Sequence, residues 1–460
     1  MKTVIGLEIH LQLKTQSKLF CSCPTEGYRE ASPNSLVCPT CVSQPGSKPF
    51  GVNAATITQA LKIALALGSK ITDAKVLVQR KHYFYPDLAS GFQRTSKPIA
   101  TGGALCGVRI REMHIEEDPG QYDLRKGTVN YNRSGIPLIE IVTEPDMDSP
   151  DQARQFLDEL KAVLDYLDAS RVEPGSMRCD ANISISMDGK EGTRTEIKNI
   201  NSFKGVYTAL SFEGARQRSM LKNKLKIEQE TRHYDEAQGI TTLLRKKESA
   251  DDYRYFPDPD VPPIEISQTE VVQLKKRMPE LPSQKRERFR KDYGITEEEA
   301  FTITLEKPLA DAFEETTKKV PAANAARFFR GTLKKQLNYR SLDYKDSSLS
   351  PTTIIELLSL LEEKQITEKV SEQLLIGLLD KGLTPKENAQ KQGLLGVHGG
   401  KEIEALVEKA IADNTNAVTD YKNGKPEALH FLAGQVMKQS KGKADPTIVK
   451  KLLEKKLAKE

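Results

Sequence analysis

VIGLEIHLQL, residues 4–13, alternates apolar and polar side chains along its whole length. Residues two apart on a strand share a face, so Ile5, Leu7, Ile9, Leu11 and Leu13 point one way and Gly6, Glu8, His10 and Gln12 the other. Such a segment predicts a sheet that rests on a core with one face and carries an acid and an imidazole on the other. Three more segments repeat the pattern. In IPLIEIVTEP (136–145), Glu140 and Glu144 are expected on one face, opposite Ile139 and Ile141. In RCDANISI (178–185), Arg178, Asp180, Asn182 and Ser184 lie opposite Cys179, Ala181, Ile183 and Ile185. In TRTEIKN (193–199), Arg194, Glu196 and Lys198 share a side. A fifth stretch, HIEEDPGQ (114–121), carries Glu116, Glu117 and Asp118 into a Pro-Gly turn.

Several of these strands are otherwise so apolar that both faces of the sheet are expected to be largely covered. Carboxylates gathered in such a place repel one another and lose their water unless a cation neutralises them. Oxygen donors with one imidazole suit magnesium or manganese better than zinc. A divalent ion beside Lys81 and several arginines is equipment for phosphoryl transfer, where catalysis is chiefly positioning and charge neutralisation. No G-x-x-x-x-G-K-[ST] and no kinase-type glycine loop is present. The residue pattern therefore reaches a divalent metal with an anionic ligand, and stops there.

Outward from these strands, the chain changes character near residue 290. Before it, short β-branched runs alternate with Gly, Pro, Asn and Asp, interrupted by two helices: Asn53 to Leu67, stopped by Gly68, and one opening at Ser149-Pro150, a capping serine before a proline in the first turn. Ala153, Phe156, Leu157, Leu160, Val163, Leu164 and Leu167 recur there at helical spacing. After 290 the sequence reads as helical almost throughout, as in Thr353 to Glu363, Thr367 to Leu379 and Lys401 to Ile411. Gly382, Gly399-Gly400 and Asn423-Gly424 punctuate it. The expected class is α+β: an antiparallel β-rich domain (1–290), an all-helical domain (291–400) and a small basic helical tail domain (401–460).

The net charge of the 460 residues is +5, too small by itself to require a nucleic-acid partner. Residues 435–460, with eight lysines against three acids, carry as much positive charge as the whole chain. No run approaches the roughly 20 apolar residues of a membrane span, and the alternating N-terminus lacks the apolar core of a signal peptide, so a cytoplasmic protein with no membrane partner is expected. Six cysteines do not make a disulfide framework in that compartment. Cys21, Cys23, Cys38 and Cys41 form C-x-C and C-x-x-C pairs, the spacing of a closed four-thiolate zinc site. Cys106 and Cys179 are expected to be packed thiols. Two further readings use part of these data: a tRNA-binding scaffold without chemistry, resting on the basic tail, and a zinc-module translation or transcription factor, which leaves the acidic strand faces unexplained.

KHYFYPDLASGFQ (81–93), HIEEDPGQ (114–121), YNRSGIPLIEIVTEPD (131–146), GSMRCDANISI (175–185), TRTEIKNINSF (193–203), QETRHYDE (229–236) and DDYRYFPDPD (251–260) follow one another collinearly. Together they resemble the signature blocks of the GatB/GatE family, the B-type subunits of tRNA-dependent amidotransferases. The C-terminal NAVTDYKNGKPEALHFLAGQVMKQSKGKADP is similar to that family's small helical, YqeY-like tail. The short spacing between QETRHYDE and DDYRYFPDPD leaves no room for the inserted domain of the archaeal E-type subunits. The resemblance implies a cradle-shaped fold and the ATP-dependent amidation of Glu-tRNA(Gln) or Asp-tRNA(Asn) in a heterotrimer. An amidase, the A component of that heterotrimer, would supply ammonia, and a small C component would complete the assembly. It also implies a magnesium site of Glu8, His10, Glu117, Glu140 and Asp180, with Lys81 beside Glu117 as a charged gate for ammonia. The family's four-cysteine zinc site, present in only some members, would fall on Cys21, Cys23, Cys38 and Cys41. His82, where many members have asparagine, and Pro119, where alanine is usual, depart from the pattern next to these residues.

Overall fold

The computed structural model describes residues 1–171, 175–187, 192–246, 253–395, 400–422, 425–440, 444 and 446–457. The chain divides into two compact units, Met1–Pro282 and Ser283–Glu460.

The first unit is built on one large sheet. Its main strands, in chain order, are β1 (Lys2–Gln12), β2 (Val78–His82), β3 (Phe92–Ser96), β4 (Val108–Glu117), β5 (Pro137–Thr143), β6 (Met177–Ser186), β7 (Thr195–Ile200), β8 (Glu230–Asp235), β9 (Ile240–Lys246) and β10 (Phe256–Pro257). They lie in the order β9-β8-β7-β6-β1-β5-β4-β3-β2-β10. The first strand of the sequence is thus near the middle, between β5 and β6. Every pairing along this path is antiparallel except β7 with β8, which run parallel. The sheet is therefore mixed, where an antiparallel one was expected. A parallel pair needs a crossover, and helix α3 (Phe203–Lys222), which lies between the two strands in the chain, provides it.

The alternation read from VIGLEIHLQL is realised. Ile5, Leu7, Ile9 and Leu11 are buried, as are Ile139 and Ile141 on β5 and Cys179, Ala181 and Ile183 on β6. They share one continuous core with Ala60, Leu61 and Ala64 of helix α1 (Ala54–Ala66), Phe156, Leu157 and Leu160 of helix α2 (Pro150–Leu167), and Val206, Ala209 and Leu210 of α3. The helix starts follow from local chemistry. Asn53 Oδ1 accepts from the Ala55 N–H at 2.9 Å, and Ser149 Oγ accepts from Gln152 N–H with Pro150 in the first turn.

A closed ionic knot ties α3 to the parallel edge. Glu213, fully buried, receives Arg216 at 2.7 Å, Arg232 at 3.3 Å, Gln217 Nε2 at 3.0 Å and Thr241 Oγ1 at 2.9 Å. Glu230 holds the same two arginines at 2.7 and 3.0 Å.

The second unit is helical. Pro351–Glu362 and Glu368–Lys381 match two helices read from the sequence, capped by Ser350 and Thr367, and Gly382 ends the latter in the left-handed region at φ 63°. Gly400–Asp413, Thr415–Lys422, Glu427–Gln439 and Pro446–Leu457 close a small core of their own around Val407, Leu432, Val436, Val449 and Leu453. Gly399, Asn423 and Gly424, read as helix stops, lie outside the described residues, as do Asp251 and Asp252 of the DDYRYFPDPD block. No helix among the described residues is long and apolar enough to cross a membrane.

Removing one member of a buried ion-pair network leaves the others uncompensated, at a cost of about 3–5 kcal/mol. Glu213→Ala should lower unfolding stability by that amount in denaturant melts, whereas Glu236→Ala at the surface should change it little.

Candidate functional site

Strand register turns the polar alternation into a row of acids. On β1, His10 stands opposite Glu140 of β5 and Arg178 of β6, and Glu8 stands opposite Asp180 of β6. Glu140 in turn faces His114 of β4, and Asn182 faces Glu196 of β7. Residues opposite one another share a face, so the row reaches Glu116, two residues beyond His114, and Lys198, two beyond Glu196. Two groups of ligand atoms converge, each within 4.8 Å of one another: His10, Glu116 and Glu140, and Glu8, Asp180 and Glu196. His10 Nε2 lies 3.4 Å from Glu116 and 3.6 Å from Glu140. Asn182 Nδ2 donates to Glu8 at 3.1 Å.

Four of the five residues expected at the magnesium site, Glu8, His10, Glu140 and Asp180, are distributed over these two groups. The fifth, Glu117, is not among them. Period two puts it on the opposite face of β4 from Glu116, where its carboxylate accepts from the Arg94 backbone N–H at 2.9 Å and pairs with the Arg94 guanidinium at 3.5 Å. Arg94 is shared with Asp258 at 2.8 Å, as is Arg80 at 2.9 Å. Glu116 is the acid of β4 that converges with His10 and Glu140. The signal was present in HIEED itself, since Ile115 faces the core and so assigns His114 and Glu116 to the other side. Glu144 keeps the expected alternation: Thr143 is buried with Ile141, its Oγ1 accepting from Leu7 N–H at 2.9 Å, and Glu144, on the side of Glu140, pairs at 3.0 Å with Arg111, the residue skipped by a bulge in β4. Glu196 and Lys198, read only as polar-face residues, complete the second group.

Lys81 is on the Glu116 side. Its partner across β2 and β3 is Gln93, whose Nε2 donates to Glu116 at 3.2 Å, and its ammonium lies 5.2 Å from the Tyr253 ring and 5.9 Å from Tyr83. Among the described residues the ion-pair partner of Glu117 is Arg94, not Lys81. Asp118 belongs to a separate, closed network: it is buried and takes Arg178 at 2.7 Å, Gln12 Nε2 at 2.8 Å and Arg133 at 3.5 Å.

The electrostatics follow from crowding. Burial pushes His10 down, but the hydrogen bond and charge of Glu116, with Glu140 and Asp180 behind it, raise its pKa to about 9. Burial pushes Glu116 up, and His10 and Lys81 outweigh it, holding the acid at about 2. Glu140 is raised, by burial first and by Glu116 second. Burial works to lower Lys81, yet Glu116, Tyr255 and Glu140 hold it above its ordinary value. The donor set is mainly hard oxygen with one imidazole, and the atoms converge, so these residues fit a magnesium or manganese ion.

The four cysteine sulfurs also converge within 4.8 Å, an all-sulfur set that fits zinc. Cys38 N–H donates to Cys41 Sγ at 3.2 Å. A hydrogen bond from Cys21 holds Cys41 at about 5, with help from Cys38 N–H and Lys18. Lys18 is only 1% exposed and reaches Cys41 Sγ at 3.5 Å, Leu36 O at 3.0 Å and Tyr131 O at 3.4 Å. Of the two remaining thiols, Cys179 is packed as expected, while Cys106 is exposed in a turn at φ 50°.

The family model described as the GatB/GatE catalytic domain matches residues 3–272, and one described as a GatB domain matches 311–457. The chain belongs to the GatB/GatE family. It is 49% identical over 452 residues to the B subunit of the aspartyl/glutamyl-tRNA(Asn/Gln) amidotransferase of Methanosphaera stadtmanae, covering 98% of this chain and 99% of that one. The protein of the same name from Methanobrevibacter smithii is 51% identical over 97% of this chain and 98% of its own. That of Methanocaldococcus jannaschii is 44% identical over 100% and 98%. The GatB/GatE catalytic match thus spans every strand that contributes to the two acidic groups.

In chelator-treated protein, His10 stabilises the fold fully below its ordinary value of 6.5 and loses that effect as pH rises through about 9. Glu116 contributes fully above 4.5 and loses its effect as pH falls toward about 2. The destabilisation by His10→Gln should therefore be greatest between pH 4.5 and 6.5 and fade toward pH 9, as read from melts across that range. Metal analysis of the purified chain should find about one zinc that survives mild chelation, and Cys41→Ser should lose it.

Proposed function

We infer that this chain is the B component of an amidotransferase that converts misacylated Glu-tRNA(Gln), Asp-tRNA(Asn) or both to the correctly paired Gln-tRNA(Gln) and Asn-tRNA(Asn). In this reading ATP phosphorylates the side-chain carboxylate of the attached amino acid, and ammonia released from glutamine by a partner amidase displaces the phosphate. The observation that carries the assignment is the convergence, on one sheet face, of five carboxylates and His10 from strands far apart in sequence. Magnesium held there supplies charge neutralisation for phosphate oxygens and a fixed point against which nucleotide and carboxylate are aligned. His10, Glu116 and Glu140 are the ligands on one side, and Glu8, Asp180 and Glu196 on the other. Lys81, beneath the tyrosines at the edge of the His10 group, supplies a positive charge toward the phosphoryl group or the incoming ammonia. The remaining assignments are zinc as a structural ion on the four cysteines, the amidase and the small C component as partners in a heterotrimer, and residues 1–290 as the catalytic cradle. The helical 291–400 and the tail 401–460 are assigned to tRNA.

The second reading, a tRNA-binding scaffold, draws on the lysines of Pro446–Leu457, of which Lys450, Lys451 and Lys455 are exposed. The two separate cleanly. In the assembled complex, Asp180→Asn and His10→Ala should each reduce tRNA-dependent ATP hydrolysis by about 100-fold or more while glutamine hydrolysis persists. Full phosphorylation activity in either variant would remove the site assignment. Deleting 401–460 should weaken tRNA binding and its salt dependence and leave the chemistry measurable at high tRNA concentration.

A further inference from the structure

Lys198 follows Glu196 by two residues on β7 and faces the same way. Its Nζ lies 2.6 Å from Asp180 Oδ2 and 3.2 Å from Glu196 Oε1. These are two members of the triad whose third, Glu8, is steadied by Asn182. The ammonium thus sits against two of the three groups a divalent ion would use. In the His10 group no ammonium is in such direct contact: among the described residues, His10 is the ion-pair partner of Glu116 and Glu140, and Lys81 stands at the group's edge. The Lys198 side chain is 29% exposed, and its flexible four-carbon stem can swing clear without any movement of the strand.

We propose that Lys198 is a built-in stand-in cation for the Glu8–Asp180–Glu196 triad, one that yields to a divalent ion and then offers its ammonium to the phosphate oxygens arriving with it. This rests on the magnesium-nucleotide reading of the face given above. Three carboxylates drawn together on a half-buried surface repel one another, and Lys198 brings one positive charge against their three negative ones. The negative excess among these four side chains draws in a divalent ion even while the lysine is in place. A lysine suits the role where an arginine would not, because a compact point charge is easily displaced whereas a planar fork would bind two carboxylate oxygens at once. Once displaced, the ammonium remains tethered within a few ångströms of the ion, where anionic ligand atoms would gather.

Replacing Lys198 should accordingly have two effects of opposite sign. The bare ion should bind more tightly, because a competitor has gone, and the nucleotide more weakly, because a phosphate contact has gone. A lysine that only held β6 to β7 would not tighten either. The test titrates Mn2+ into chelator-stripped full-length protein by electron paramagnetic resonance. An ATP analogue that cannot be hydrolysed is then titrated in the presence of Mn2+ by calorimetry. If wild-type protein takes up no Mn2+, the reading of the face itself fails, and the proposal with it. If the wild type binds, Lys198→Met should bind Mn2+ about tenfold more tightly and the analogue about tenfold more weakly, the scale of one partly screened charge. Unchanged or weaker Mn2+ binding in Lys198→Met overturns the stand-in role and leaves the site reading standing. Tighter Mn2+ binding with unchanged analogue affinity overturns the phosphate contact. Should Lys198→Met be recoverable only with Mn2+ present, the rise of its melting temperature with Mn2+ concentration measures the same affinity, and a rise no steeper than the wild type's overturns the proposal.

Discussion

Ile9 lies between Ile141 on one side and Cys179 on the other, and Leu7 lies opposite Ala181. These apolar pairs at the centre of the sheet fix the register of β1 against both neighbours. A slip of one residue would carry Ile5, Leu7 and Ile9 to the polar face and drive Glu8 and His10 into the core. Burying each aliphatic side chain is worth about 1.5–3 kcal/mol, and burying an unpaired carboxylate costs more still. Hydrophobic packing therefore determines where the acids meet. The helices that cover the apolar face hold the site in place without touching it.

The charged groups of this unit fall into two kinds. Asp118 with Arg178 and Arg133, and Glu213 with Arg216 and Arg232, are closed networks in which each acid is balanced by arginines and further donors. Their forked geometry suits a permanent joint. The acids of the central face are balanced differently, by a histidine and by lysines on flexible stems, and they outnumber those cations. Permanent joints surround a region where, among the described residues, acids outnumber the cations beside them, the arrangement expected where a mobile cation and a phosphorylated ligand are to enter.

Much of this could be read from the sequence because strand alternation is a local property. The faces of β1 and β6, the cap at Ser149-Pro150 and the C-x-C and C-x-x-C pairs all depend on residues within a few positions of one another. What escaped depends on pairing or on local irregularity. The bulge at Arg111, which brings its guanidinium to Glu144, leaves no mark on the alternation of β4 as read from sequence. The parallel run of β7 and β8 is set by α3 and by the Glu213 knot, neither of which leaves a trace in the strand sequences. Glu196 could be placed on a polar face, but its approach to Asp180 and Glu8 required the order β7-β6-β1. At HIEED the motif match named Glu117, while the alternation places Glu116 beside His10 and Glu117 against Arg94.

Lys18 gives the cysteine cluster a reach beyond its own loop. An ammonium with almost no access to water needs a compensating charge, and beside the carbonyls of Leu36 and Tyr131 the sulfur of Cys41 supplies it. The same loop is stitched to the segment leading into β5: Leu36 N–H donates to Asn132 Oδ1 at 2.9 Å, and Ser134 Oγ donates to the Cys41 carbonyl at 3.0 Å. That segment sets the start of the strand bearing Glu140. Oxidation of one sulfur would thus be felt, through a stranded lysine and a loosened turn, at an acid on the far side of the domain's first loop, linking thiol chemistry to the integrity of the acidic face.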